Sequence, residues 1–209
     1  MIWTMLGFIA FLPVAESAPY EMLDPDREIA LAKSAGLPPW NEEATIYVLG
    51  PGGYSKVKEG TNGFACMVGR SDPGTRWPVC FDAIGSETIL PRYIREAELR
   101  IQGKTEEEVR QDTASRFLSG EYRAPSRTGV SYMLSKETIA SNGKDLILTP
   151  PHLMIYSPNV RGEEIGAVNN HAHSPMALFE GDPHGYMFVF VPDTMPELTN
   201  LGPLPKRGK

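Results

Sequence analysis

The sequence predicts an α+β domain: a largely antiparallel sheet with a helical hairpin inserted between strands. Three observations carry that expectation. The 20 glycines and 19 prolines in 209 residues favour short strands and turns over long helices. Apolar strand-like runs form two groups, one ending near residue 82 and one beginning near residue 130. The segment between them, from about 86 to 120, has helical spacing instead.

The elements follow in chain order. Asp24-Pro25 signals a helix start, since Asp caps well and Pro fits the first turn. Ile29, Ala30, Ala32 and Ala35 give that helix a modest apolar face, and Gly36 ends it. ATIYVLG (44–50) is mostly apolar and rich in β-branched residues, as in a buried strand. PGG (51–53) turns the chain into YSKVKEG. Gly50, Gly52 and Gly53 make no dinucleotide-binding fingerprint, because the third glycine and the following helix are missing.

GFACMVGR, the turn SDPG and RWPVCFD form a second hairpin. It would place Cys66 and Cys80 on opposed strands, and two cysteines in an oxidising compartment pair. Neither cysteine has a local base that would make it a nucleophile.

Leu90, Tyr93, Ile94, Ala97 and Ile101 recur at helical spacing, with Arg92, Arg95, Glu96 and Arg100 elsewhere around the helix. Thr105 with Glu108 forms a capping box for a second helix, whose narrower inner face is Val109, Thr113 and Phe117 and which stops at Gly120. The pair reads as a charged, solvated cover. VSYML (130–134) alternates, with Val130, Tyr132 and Leu134 on one face. HLMIY (152–156) puts His152, Met154 and Tyr156 on one face. YMFVFV (186–191) is apolar throughout, as in a strand buried on both sides.

The organisation expected is a secretory signal over 1–17, one domain over 18–192 and a proline-rich tail over 193–209. MIWTMLGFIAFLPV is continuously apolar and is followed by small residues. At about 14 residues it is shorter than the roughly 20 that a helical span needs. The mature protein is therefore expected to be periplasmic or extracellular, with no stable membrane span. A net charge of −6 argues against a nucleic-acid partner.

Chemistry concentrates in NNHAHSPMALFEGDPHG (169–185). His171, His173, Glu180 and His184 offer imidazole and carboxylate donors that suit a divalent transition metal. Their order is similar to that of the cupin ligands. The glutamate, however, lies seven residues after the second histidine, and the third histidine comes from the same loop. The set reads equally as a loop facing water. The other candidate is His152 as acid or base in a cleft with Tyr132 and Tyr156. A histidine at a strand end also reads as one hydrogen-bonded to backbone. GVSYM lacks the second glycine of a nucleophile elbow, and neither the zinc-protease helix motif nor a phosphate loop occurs.

EGTNGFACMVGR (59–70), Cys80-Phe81-Asp82, SGEYRAPSRTGVSYMLS (119–135) and PPHLMIYSPNV (150–160) resemble a group of uncharacterised secreted bacterial proteins over about residues 25–192. The resemblance implies export and a shared fold and no nameable activity. In that group the strand beginning His-Leu-Met is a hallmark and a His-Ala-His stretch is not, which moves weight to His152. Three functions remain open: an exported domain binding a small molecule or an envelope component, a metal-dependent hydrolase or oxidase, and a metal-free enzyme using His152.

Overall fold

The computed structural model describes residues 20–167 and 174–192. Helix α1 (Pro25–Lys33) is capped by Asp24, whose carboxylate accepts from the Asp26 and Arg27 amides. Strands β1 (Thr45–Gly50) and β2 (Gly53–Lys58) form the expected tight hairpin, with Gly53 at φ 119°. Strands β3 (Ala65–Gly69) and β4 (Trp77–Phe81) form the second hairpin. Three helices follow: α2 (Ala83–Thr88), α3 (Leu90–Ile101) and α4 (Glu106–Ser119). The chain then returns to strands, β5 (Val130–Met133), β6 (Ile139–Ser141), β7 (Leu146–Leu148) and β8 (His152–Tyr156). After a 3-10 turn at Gly162–Ile165 come β9 (Met176–Leu178) and β10 (Tyr186–Phe190).

Eight strands form one sheet in the order β2-β1-β3-β4-β5-β8-β10-β9, with β6 and β7 as a separate ribbon. Every pair in the large sheet is antiparallel except β1 with β3. The fold is thus α+β with a mostly antiparallel sheet. No helix among the described residues is long and apolar enough to cross a membrane.

Strand alternation gives the sheet two apolar faces. On one face, Ile46, Val48, Cys66, Val68 and Cys80 pack against Leu31, Ala32 and Ala35 of the α1 region. On the other, Met67, Val79, Phe81, Met154, Tyr156 and Tyr186 pack with Ile84, Ile89 and Leu90 of α2 and α3. Cys66 and Cys80 face each other directly across β3 and β4 and are disulfide-bonded. Gly36 lies against this bridge: a Cβ there would come within 2.9 Å of the Cys80 sulfur.

Two expectations change. Helix α1 turns Glu28, Leu31 and Ala32 inward, while Ala30 is exposed. Glu28 accepts two hydrogen bonds from the Arg70 guanidinium, at 2.8 and 2.6 Å, in a bidentate pair. This buried pair sets the rotation of the helix, which an apolar count alone would turn differently. Strand β10 is buried on one side only. Tyr186 and Phe188 are covered and Met187 is half-buried, whereas Val189 and, at the end of the strand, Phe190 are exposed.

Candidate functional site

A cavity of about 880 Å³ lies between the sheet and helices α3 and α4. Its floor is the inward face of the sheet: Val79 and Phe81 of β4, Ser131 and Met133 of β5, Met154 of β8 and Tyr186 of β10. Its roof is Val109, Thr113 and Phe117, the inner stripe of α4. Thr105 makes that stripe possible. Its hydroxyl accepts from the Glu108 amide while the Glu108 carboxylate accepts from the Thr105 amide, so α4 begins at a fixed point. Gly120 then ends it in the left-handed region at φ 77°. Arg110 and Leu118, both largely exposed, mark the rim.

Five polar residues of the cavity are buried, Arg92, Glu96, Thr113, Ser131 and His184, while Arg100, Glu106, Arg110 and Asp182 lie towards its rim. Arg92 is 3 % exposed and Glu96 is 8 % exposed, although both occupy a helix whose charges the sequence places in solvent. Arg92 donates through Nη1 to Glu96 at 3.2 Å. The same carboxylate takes a 3.4 Å bond from the Thr113 hydroxyl and one of 3.5 Å from Arg100. Arg100 is held further by Glu106, through two bonds of 2.7 and 2.9 Å. Arg92 also lies over two aromatic faces, Tyr93 at 4.1 Å and Phe179 at 5.1 Å. Its Nε and Nη2 have no hydrogen-bond partner among the described residues.

His184 is buried as well, at 8 % exposed. Its ring stacks on Phe117 at 5.5 Å and meets Phe179 at 5.0 Å. Burial, helped by the nearby Arg92 charge, pushes its pKa down to about 3, so the ring is neutral at physiological pH. Its Nδ1 has no partner among the described residues.

The metal expectation divides. His171 and His173 lie outside the described residues. Glu180 is an exposed loop residue whose carboxylate accepts from the Gly162 amide at 2.9 Å. Glu180 thus fastens one turn to another, while His184 points into the aromatic cavity. Among the described residues no three His, Cys, Asp or Glu side chains gather into a group that could hold a metal ion.

The cleft expected around His152 is corrected. Tyr132 packs on the α1 side of the sheet and His152 and Tyr156 on the other, because adjacent residues of a strand face opposite ways. His152 is 2 % exposed, stacks on Phe188 at 4.2 Å and bonds through Nδ1 to the Pro150 carbonyl at 2.8 Å. Its Nε2 faces the Met133 sulfur at 3.1 Å. Burial lowers its pKa, against the pull of the Pro150 carbonyl. With Nδ1–H donating to the Pro150 carbonyl, the Nε2 lone pair faces the Met133 sulfur inside the core, away from solvent. Tyr156 is engaged as well. Its hydroxyl accepts from Ser131 at 3.0 Å and presses on Gly85, where a Cβ would come within 1.8 Å.

The sequence signal that could have pointed to this cavity was Arg92 itself. It stands in the first turn of α3, where the helix dipole disfavours a cation, and no acidic residue shares that turn. Comparison with protein-family models, with curated proteins and with solved structures found no match to this chain.

Proposed function

We propose that this protein is an exported binding domain that holds a small, largely apolar molecule in the cavity between its sheet and helices α3 and α4. The cavity carries the reading: about 880 Å³, walled by Val, Met, Phe and Tyr side chains, with a few buried polar groups at one place. This is the composition of a site that encloses a ligand and orients it by one end. The disulfide supports a periplasmic or extracellular location. Helices α3 and α4 act in this reading as a helical hairpin that covers the ligand rather than as a solvated surface.

The binding reading is favoured over catalysis because the buried groups lack the pairing that chemistry requires. The Ser131 hydroxyl is spent on Tyr156, and the buried Thr113 hydroxyl meets only Glu96, a carboxylate already held by Arg92 and Arg100. The test uses Nile red, an uncharged dye that brightens in apolar surroundings. One dye per chain is expected to bind and to raise the Tm in proportion to its concentration. The dye is expected to be recovered unchanged, and a chelator in excess to leave the binding as it was. Ala114→Trp, which fills the cavity from an exposed position on α4, is expected to weaken binding at least tenfold. A folded protein that takes up no dye, or takes it up equally well with Trp at position 114, overturns the reading.

A further inference from the structure

We propose that Asn142 is a site of spontaneous covalent modification, at which the folded chain converts its own asparagine to aspartate and isoaspartate through a cyclic imide. The inference stands apart from the binding role and rests on how the two Asn-Gly pairs of the chain are held.

Imide formation joins the side-chain carbon of an asparagine to the backbone nitrogen of the next residue. Glycine there obstructs least, because no Cβ shields the approach. The chain has two such pairs, Asn62-Gly63 and Asn142-Gly143. A pair reacts only where the side chain and the turn around it can rearrange until the two atoms meet. Asn62 is fastened against that movement. Its Nδ2 donates to the Trp40 carbonyl at 2.7 Å, and its Oδ1 accepts from the Phe64 amide at 2.9 Å. Its neighbours are tied to the segment leading into β1. The Thr61 amide donates to the Glu43 carbonyl at 2.9 Å, and the Thr45 amide donates to the Phe64 carbonyl at 2.8 Å. Freeing Asn62 therefore pulls on the pairing of β1 with β3, beside the disulfide of Cys66.

Asn142 is held only by its own turn. Its Oδ1 accepts from the Lys144 and Asp145 amides at 2.9 and 2.8 Å, and its amide donates to the Asp145 carbonyl at 3.1 Å. The Gly143 amide donates to the Ser141 hydroxyl at 3.1 Å. All of these partners lie within residues 141–145. The ribbon beneath has three paired positions, Ser141 with Leu146, Ala140 with Ile147 and Ile139 with Leu148, and every residue of β7 is exposed. The ribbon is tied to the sheet at its base, where Arg76 and Ile139 exchange two backbone bonds. Opening the tip thus breaks a few exposed bonds and leaves both cores intact.

In the reaction the Gly143 nitrogen gives up its proton and bonds to Cγ of Asn142. The bond from Cγ to Nδ2 breaks, and Nδ2 leaves with that proton as ammonia. Water, the one co-reactant, then opens the five-membered imide at either carbonyl. Opening at Cγ gives aspartate and restores the original main chain. Opening at the main-chain carbonyl of residue 142 gives isoaspartate, in which the main chain runs through Cγ and is one methylene longer. Both products place a new negative charge at the ribbon tip. The longer chain of isoaspartate also disturbs the register of Ser141 with Leu146. Ala140 and Ser141 belong to the cavity wall, so the modified turn borders the cavity.

The test needs no variant. The protein is incubated in warm, mildly alkaline buffer over a series of urea concentrations, from none to beyond the unfolding midpoint. Peptide mapping follows both positions, since aspartate and isoaspartate peptides separate from each other and each is about one mass unit heavier than the asparagine peptide. Without urea, conversion at Asn142 is expected to be at least tenfold faster than at Asn62. Through low urea the Asn142 rate is expected to stay flat, because its opening is local, while the Asn62 rate climbs with the unfolded fraction. Beyond the midpoint the two rates are expected to converge. If both rates climb together from zero urea, Asn142 reacts only from the unfolded chain and the proposal is overturned. An Asn142 that stays intact in the folded protein over the time in which the unfolded chain is converted overturns it as well.

Discussion

His184 shows how far a side chain can depart from its ordinary behaviour when aromatic rings replace water. Its pKa of about 3 in the folded chain stands against an ordinary value of 6.5. Between those values the unfolded chain binds a proton that the folded chain refuses, so stability rises with pH across this window and is lost as the pH falls. His152, lowered by burial too, adds in the same direction. Above about pH 7.5, where the unfolded histidines are also neutral, neither contributes a slope. The His184 part amounts to about 2 kcal/mol between pH 7 and pH 5. Urea midpoints measured at pH 7, 6 and 5 should fall for the wild type and fall less for His184→Phe, which keeps the stacking and cannot titrate. Equal slopes in the two proteins would show that His184 is not the group responsible. The same residue marks the limit of the sequence. His184 is visible in the loop as a possible ligand, but only the packing of Phe117 and Phe179 reveals that it faces an apolar cavity. His152 is the reverse case. Its strand and its outward or inward parity follow from alternation, and its conversion into a core residue follows from contacts with Pro150 and Met133 that no spacing encodes.

At the scale of elements, whatever depends on neighbours along the chain was legible. The Asp24 cap, the Thr105 and Glu108 box, the Gly120 stop and the two hairpins all follow from local chemistry. What depends on a distant partner was not. Helix α1 is turned by Arg70, 42 positions away, and α3 buries Arg92 and Glu96 because a cavity lies beneath them. In both helices buried polar residues help decide how the helix sits. Removing one member of the Glu28 and Arg70 pair leaves a buried charge uncompensated. Glu28→Ala is therefore expected to destabilise the protein by about 3–5 kcal/mol in urea unfolding. A loss under 1 kcal/mol would mean that Arg70 finds water or another partner when Glu28 is gone.

At the scale of the whole molecule, the disulfide fastens β3 to β4 at the centre of the sheet, where both cores meet it. Closing a loop of this length stabilises the fold by about 3 kcal/mol. Reduction, or replacement of Cys66 and Cys80 together by Ala, should lower the unfolding free energy by about that amount. An unchanged urea midpoint after reduction, with free thiols verified, would contradict it. The α+β class was legible because apolar runs and turn residues mark most strands, though β9 lay hidden in the stretch read as a histidine loop. The order of the strands was not, since the register of β4 with β5 and of β5 with β8 joins segments separated by long stretches of chain.

The sheet order itself has a consequence for assembly in time. Its first four strands, α1 and both cysteines lie within residues 25–81, and its other four strands begin at residue 130. For a chain that emerges amino end first, one core and its covalent staple can be complete before β5 exists. The cavity cannot: its floor draws on β4, β5, β8 and β10, so it closes only when the final strand is laid down. An interrupted chain would thus be oxidised and partly packed, yet without its cavity, and the proposed capacity to bind would be the last property the molecule acquires.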